Sequence, residues 1–247
     1  MAAKTKLHFS RFEFKYLLPA KLRAEVESEL SHFVEFDPFV EGRPDHRYLV
    51  RSLYWDDRRL SAFRDKIDGV MVRSKFRIRT YTTDPDEPVP RFLEIKGRNN
   101  NLVVKHRTPV DIGTESSQVA GDSLAELVMA NAVEGPIQQE FSFQRYRRRI
   151  QPYCLIDYQR RPFVSRFDPE FRLTFDEELT ATRTDRLFPK RTDRTVRVAP
   201  GYTVMEVKFR HHLPSWFHRI IQGYELRRLS FSKICEGTVA LGLADED

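Results

Sequence analysis

Short stretches of this 247-residue chain place basic and acidic side chains on alternate positions, with apolar residues between them. Arg11, Glu13 and Lys15 alternate with Phe12, Phe14 and Tyr16, and Lys75, Arg77 and Arg79 alternate with Phe76 and Ile78. Glu94, Lys96 and Arg98 oppose Leu93 and Ile95, and Lys105 and Arg107 follow a few residues on. Arg172, Thr174 and Asp176 oppose Leu173 and Phe175, while Glu206, Lys208 and Arg210 oppose Val207 and Phe209. A period of two is the period of a β-strand, so each set puts its charges on one face and its apolar residues on the other. Any single row is accounted for by a solvated outer face. Many rows of the same kind suggest instead a sheet that curls on itself, with helices covering the apolar outside and the charged rows pointing inward. Lys and Arg held about 5–7 Å apart across strands repel by roughly 2–3 kcal/mol per pair at an effective dielectric near 20. A multiply charged anion such as a phosphate chain relieves that repulsion, with Arg offering bidentate forks and Lys point charges. The carboxylates among the cations are reconciled by a Mg²⁺ or Mn²⁺ ion bridging them to phosphate oxygens.

The elements that must position these rows are legible around them. Leu7 to Leu18 reads as a strand ended by Pro19, and Ala20 to Phe33 as a helix with Leu22, Val26, Leu30 and Phe33 on one side. Strands follow at Tyr48 to Trp55 and Val70 to Tyr81, with a short helical stretch over Asp57 to Phe63 between them. Arg91 to Arg98 and Leu102 to Val110 form a hairpin through Asn99-Asn100-Asn101. Asp122 to Ala132 reads as a helix, and Gly135-Pro136 closes that region. Further strands are expected at Pro152 to Gln159, Phe163 to Phe167, Phe171 to Phe175 and Tyr202 to Arg210, with a helical C-terminal portion opened by Pro214. Thr82 to Pro90 and Ile112 to Gly121 read as loops, and no linker divides the chain, so residues 1–247 are taken as one domain.

Composition limits the partners. The formal charge is +6 with 42 Lys+Arg against 36 Asp+Glu, basic enough for a polyanion. Cys154 and Cys235 make no disulfide scaffold and have no zinc spacing with histidines; His211-His212 lacks metal-ligand spacing as well. No secretory leader or membrane-spanning run is seen, which points to a cytoplasmic, soluble domain. The run Arg145-Tyr-Arg147-Arg148-Arg149 has no nucleic-acid motif beside it, so no specific nucleic-acid partner is expected, and it reads as a solvated or anion-steering surface. Trp55 and Trp216 are expected to pack in the core or between helix and barrel.

Taken in order, the stretches from Arg11-Phe-Glu-Phe-Lys15-Tyr, Arg51-Ser-Leu-Tyr-Trp-Asp-Asp57, Asp65-Lys66 and Lys75-Phe-Arg77-Ile-Arg79 to Leu93-Glu-Ile-Lys96 and Lys105-His-Arg107 resemble the vacuolar transporter chaperone (VTC) domain. That domain belongs to the CYTH-like triphosphate tunnel superfamily and occurs in polyphosphate polymerases. Tyr158-Gln-Arg160, Arg172-Leu-Thr-Phe-Asp176, Val204-Met-Glu206-Val-Lys208-Phe and Phe231-Ser-Lys233 continue the likeness over nearly the whole chain. The resemblance implies an α+β fold: an eight-stranded antiparallel closed β-barrel, the tunnel, with flanking helices. It implies Arg77, Arg79, Lys96 and Lys208 as catalytic residues, and Lys15, Lys75, Lys105, Arg172, Ser232 and Lys233 as phosphate contacts. Arg11, Arg107 and Arg160 join the phosphate-binding set, and Glu206 is the principal metal ligand with Glu13 and Glu94 beside it; the facing of Arg107, Arg160 and Glu94 awaits a register. Hydrolytic branches of the superfamily open with Glu-x-Glu-x-Lys, whereas this chain has Arg11-x-Glu13-x-Lys15, one carboxylate fewer. Ile234 also stands where similar sequences tend to carry Tyr.

The activity implied is transfer of the ATP γ-phosphoryl group to polyphosphate with Mn²⁺ or Mg²⁺. The alternatives are a non-catalytic tunnel binding polyphosphate or inositol phosphates, and an inorganic triphosphatase, which Arg11 disfavours. An inositol phosphate regulator and a membrane-protein partner are further expectations of the resemblance.

Overall fold

The computed structural model describes residues 12–99 and 102–245. Among the described residues ten strands form one sheet, accompanied by six α-helices: β1 (Phe12–Pro19), β2 (Val34–Phe36), β3 (Tyr48–Asp56), β4 (Val72–Thr80), β5 (Phe92–Asn99), β6 (Leu102–Pro109), β7 (Gln151–Ser165), β8 (Arg172–Arg183), β9 (Thr195–Arg197) and β10 (Tyr202–Phe209). The helices are α1 (Ala20–Leu30), α2 (Ser61–Ile67), α3 (Gly121–Asn131), α4 (Pro136–Arg148), α5 (Ser215–Gly223) and α6 (Lys233–Ala240). Eight strands run β1-β10-β8-β7-β3-β4-β5-β6, each antiparallel to its neighbour, and β2 and β9 pair with β7 and β8. Among the described residues no ladder joins β6 to β1, so the sheet curls without the hydrogen-bonded closure expected of a barrel. The seam is crossed by side chains instead, Lys96 Nζ on β5 donating to Glu13 Oε1 on β1 at 3.1 Å.

Alternation sorts the side chains into an outside and an inside. Outside, Leu53, Trp55, Phe76, Ile78 and Leu93 of β3, β4 and β5 pack under Leu124 and Val128 of α3 and Phe141 of α4. On the opposite outer wall, Tyr16, Leu18, Leu173, Phe175, Met205 and Val207 pack under Val26 and Leu30 of α1 and Phe217 and Ile220 of α5. Trp55 lies in the first cluster, 1% exposed, and Trp216 stacks on Phe33 beside the second, as anticipated for both.

The third cluster is on the inside. Val50, Tyr54, Cys154, Ile156, Tyr158, Ala181 and Val204 surround Ile234 and Cys235 of α6, which fills one end of the curled sheet. The close fit needs Gly237, since a Cβ there would stand 2.5 Å from Ile156 Cδ1 and 3.0 Å from Ala181 Cβ. A register shift between Asp157 and Gln159 of β7, with Glu178 of β8 in the left-handed region at φ 55°, changes the parity of β8. Asp176 and Ala181 thereby share the inner face although an even number of residues separates them.

Several expected boundaries shift. Gly135-Pro136 opens α4 instead of closing the region, because a proline at the first helical position loses no bond that the helix would make. The strand pair expected over Pro152 to Phe167 is a single long β7, and Pro162 sits within it, its carbonyl accepting from Asp37 N–H. The helical C-terminal portion divides into α5 and α6, and the short helix after β3 lies later than expected, at Ser61–Ile67.

Candidate functional site: a cation-lined tunnel

Register fixes the inner wall. Lys15 stands opposite Glu206, Lys208 opposite Arg172, and Arg160 opposite Asp176; farther round, Tyr54 faces Arg77, Ser52 faces Arg79, Arg77 faces Glu94, and Lys75 and Lys96 are partners. Lys105 stands opposite Lys96, and Arg107 opposite Glu94. Strand alternation therefore brings charged residues from seven strands, β1, β4, β5, β6, β7, β8 and β10, onto one interior.

Two carboxylate-centred clusters organise it. In the first, Lys233 at the start of α6 contacts Glu206 Oε1 and reaches Asp176 Oδ2 at 2.6 Å. Arg160 grips Asp176 in a bidentate pair at 2.6 and 2.7 Å and donates to Glu206 Oε2 at 3.1 Å. Lys208 lies 3.7 Å from the same oxygen, and Lys15 lies 3.3 Å from both Glu206 and Glu13. In the second cluster, Glu94 is fully buried, with Arg77 at 2.7 Å, Lys105 at 2.7 Å and Arg79 at 3.8 Å. Arg77 also donates to Tyr54 Oη at 2.7 Å, and Arg79 to Ser52 Oγ at 3.1 Å. Tyr158 joins the two: its hydroxyl accepts from Arg79 at 3.5 Å, and its ring lies 4.9 Å from Lys233 Nζ and 5.3 Å from the Arg160 guanidinium.

The remaining sequence-predicted residues occupy the floor and the rim. Lys75 Nζ reaches Ser232 Oγ at 3.5 Å and Cys235 Sγ at 2.9 Å, so Ser232 stands at the tunnel floor as the N-cap residue of α6. Lys105, Arg107 and Arg172 are exposed; Arg107 lies over the Phe92 ring, and Arg172 pairs with Asp37 at 3.9 Å. Arg11 lies outside the described residues. Sequence reasoning assigned no site role to Asp176, Tyr54, Tyr158, Ser52 or Thr174. Asp176 and Thr174 were visible in a charged row, whereas the Tyr54 and Ser52 row of β3 has no charge to mark it. Thr174 Oγ1, buried in that inner row opposite Glu206, has no hydrogen-bond partner among the described residues.

Burial opposes every charge here, and the balance differs between acids and bases. Burial pushes the carboxyls of Glu13, Glu94 and Glu206 up, but the surrounding cations outweigh it and hold all three well below the usual range. Lys233 moves up because Asp176 and Glu206 overcome its burial. Lys96 does not: burial outweighs Glu13 and lowers its ammonium to about 8, and Lys208 is lowered by burial despite Glu206. The cations hold these carboxyls ionised, while Lys96 and Lys208 are short of negative charge. A multiply charged anion between these lysines would offset that shortfall.

The donors also bear on a divalent cation. Glu13 and Glu206, both held ionised, meet at one ammonium, that of Lys15. Two carboxylates fit a Mg²⁺-like ion that takes its other ligands from water and substrate phosphate. Among the described residues no group of three or more His, Cys, Asp or Glu could hold a metal as an all-protein cage. Glu94, the third expected ligand, belongs to the separate Arg77, Arg79 and Lys105 cluster.

The family model of the VTC domain matches residues 10–241. The chain belongs to the VTC domain family. A comparison with curated proteins finds no match. Among solved structures, a candidate adenylate cyclase from Bacillus halodurans is similar at a TM-score of 0.51 and 10% identity, covering 91% of this chain and 96% of its own; this likeness concerns the fold. A Pyrococcus horikoshii protein is similar at a TM-score of 0.45 and 10% identity, over 94% of this chain and 98% of its own. A candidate adenylyl cyclase from Hippeastrum, described as having a dominant triphosphatase activity, is similar at 0.44 and 14% identity, over 93% and 95%. This VTC domain thus has the antiparallel, helix-flanked tunnel architecture, and no helix among its described residues is long and apolar enough to cross a membrane.

Proposed function

We propose that this VTC domain is a metal-dependent polyphosphate polymerase that transfers the γ-phosphoryl group of ATP onto a polyphosphate chain held in the tunnel. The observation that carries the reading is the convergence of Lys15, Arg77, Arg79, Lys96, Arg160, Lys208 and Lys233 on one interior where Lys96 and Lys208 remain short of negative charge. A linear anion with a charge on every phosphate fits such a wall better than a compact one, because basic residues run from the exposed rim at Arg172 and Lys105 to the floor at Lys75.

Phosphoryl transfer asks the protein mainly for positioning and charge neutralisation. Lys96, Lys105 and Lys208, whose burial is not offset by the carboxylates beside them, take phosphate oxygens. Arg77 and Arg79, braced by Tyr54, Ser52 and Glu94, present fixed guanidinium forks to the group in transfer. The acceptor is an ionised phosphate, so no side-chain base is needed. Glu206 and Glu13 would hold the divalent ion, which when bound neutralises phosphate oxygens and draws off charge in the transition state. The sequence Arg11-x-Glu13 supports polymerase over triphosphatase, since one carboxylate of the hydrolytic pattern is replaced. A cytoplasmic setting, a membrane-protein partner and an inositol phosphate regulator belong to the same proposal.

Incubation with ATP and Mn²⁺, following long-chain phosphate and free phosphate separately, tests it. Long-chain product is the expected result. Free phosphate alone would mean a triphosphatase, and neither product alongside tight polyphosphate binding would mean a non-catalytic tunnel.

A further inference from the structure

Topology brings several segments to one end of the sheet. β3 ends there and β4 and β7 begin there, with Trp55 opposite Phe76 and Asp56 opposite Gln151. The residues just after β3, before β4 and before β7 are therefore neighbours: Arg58 and Arg59, Val70 to Val72, and Tyr146 to Arg149. Two openings show the adjacency. Val72 and Arg148 line one recess, and Arg148 lines the next, an open groove, together with Arg58, Arg59, Tyr146, Arg147 and Arg149.

The apolar part of this end projects into solvent. Met71 and Val72 are 67% and 70% exposed. Successive residues of a strand point to opposite sides, so exposure of both means that the start of β4 stands beyond its surroundings. The projection is held in place: Val70 N–H donates to the Asp65 carbonyl at 2.9 Å, and the Arg73 guanidinium donates to the Val70 carbonyl. Tyr146 on α4 is 79% exposed. A run of apolar residues held out in water and rimmed by charge marks an interaction surface.

The rim is cationic. Its carboxylates are engaged locally: Asp122 and Glu126 pair with Arg145, and Asp57 accepts from the N–H groups of Arg59 and Ser61. Asp56 is buried on the N–H groups of Asp57, Ala62 and Phe63, and Asp65 shares the recess wall with Arg73. Arg58, Arg59, Arg147, Arg148 and Arg149 are all exposed. β8 ends at the same end, Arg183 opposite Cys154, and the chain beyond it sets Arg183, Arg186, Lys190, Arg191 and Arg194 against Asp185 and Asp193. Aliphatic side chains projecting among arginines match a surface that offers an apolar phase beneath a layer of negative charge. A nucleic acid offers only the charge.

We propose that this end of the molecule docks on an anionic membrane surface, with Met71, Val72 and Tyr146 entering between the headgroups and the surrounding arginines on lipid phosphates. Apolar insertion and basic attraction together give the two signals that stable peripheral binding requires, and no spanning helix is involved. Arg172 opens β8, which runs antiparallel to β4, so the tunnel rim at Arg172 faces away from this end.

Flotation of the full chain with phosphatidylcholine vesicles, with and without phosphatidylserine, tests the proposal. The expected result is capture by the phosphatidylserine vesicles alone, declining as salt rises. Arg147→Ala/Arg149→Ala and Met71→Ser/Val72→Ser should each weaken capture at least tenfold, while Arg43→Ala/Arg166→Ala, exposed at the opposite end, should bind as the wild type does. In Met71→Trp the added indole fluorescence should shift to the blue on the vesicles and be quenched by acyl-chain nitroxide labels. Absence of capture at low salt, equal losses in all three double variants, or an indole that the acyl chains do not quench overturns the proposal. So does self-association that Met71→Ser/Val72→Ser abolishes, in place of capture, since it assigns this end to a second copy of the chain. The substituted residues at this end are exposed, so the variants alter the surface and leave the core in place.

Discussion

Glu206 is the residue on which the first cluster turns, since Lys15, Arg160, Lys208 and Lys233 all reach its two oxygens. Removing one partner of a buried ion pair leaves uncompensated charge and costs about 3–5 kcal/mol. Glu206→Gln should therefore lower the melting temperature of the ligand-free protein, and tripolyphosphate should restore more of it than it adds to the wild type. The same variant should lose metal-stimulated activity while still binding polyphosphate in EDTA; an unaltered thermal melt would contradict the cluster's role. Lys96 supplies the pH dependence. Its folded-state value of about 8 lies below the ordinary lysine value, so ligand-free stability gains from this group as pH rises through about 8 toward that value. Burial lowers the Lys105 ammonium at the rim further, to about 7, and anion binding needs both protonated forms, so polyphosphate affinity should be level below about pH 7, fall above it, and be accompanied by proton uptake between about pH 7 and 8. Calorimetry in buffers of different ionisation enthalpy measures that uptake; Lys96→Met should remove the part near pH 8 and Lys105→Met the part near pH 7.

Among the elements, α6 links fold and site most directly, because the helix that fills one end of the interior also delivers Lys233 to Glu206 and Asp176. Gly237→Val places a side chain where Ile156 and Ala181 already stand. Overpacking of this kind costs about 1–3 kcal/mol, seen as a lower urea midpoint, and polyphosphate binding should weaken with it as Lys233 is displaced. Full affinity in that variant would mean that the helix is only a structural plug. The alternation in β1, β4, β5, β8 and β10 was legible in the sequence because each strand keeps one charged and one apolar face. The interior position of α6 was not, since Ile234, Cys235 and Thr238 look the same whether a helix packs outside a sheet or within it. Nor was the uncharged inner row of β3 marked as part of the site. The parity change at Glu178 and the three-residue β2 arise from tertiary pairing that no local pattern announces.

At the scale of the whole molecule, the chain separates its charges into an inner wall where lysines and arginines outnumber the carboxylates of Glu13, Glu94, Asp176 and Glu206, and an outer surface where arginines such as Arg145 sit beside Asp122 and Glu126. Net charge alone, +6, does not distinguish these places. Binding inside should release counterions, so polyphosphate affinity should fall steeply with salt, and each tunnel cation removed should flatten that slope. The most direct measurement is equilibrium binding of polyphosphate to single alanine variants on opposite inner walls, Arg77 and Lys208, beside Arg147 and Arg149 on the outer groove. A shared interior predicts at least a tenfold loss for Arg77→Ala and for Lys208→Ala, with Arg147→Ala and Arg149→Ala close to wild type. Equal losses at all four positions, or losses confined to the outer pair, would contradict it.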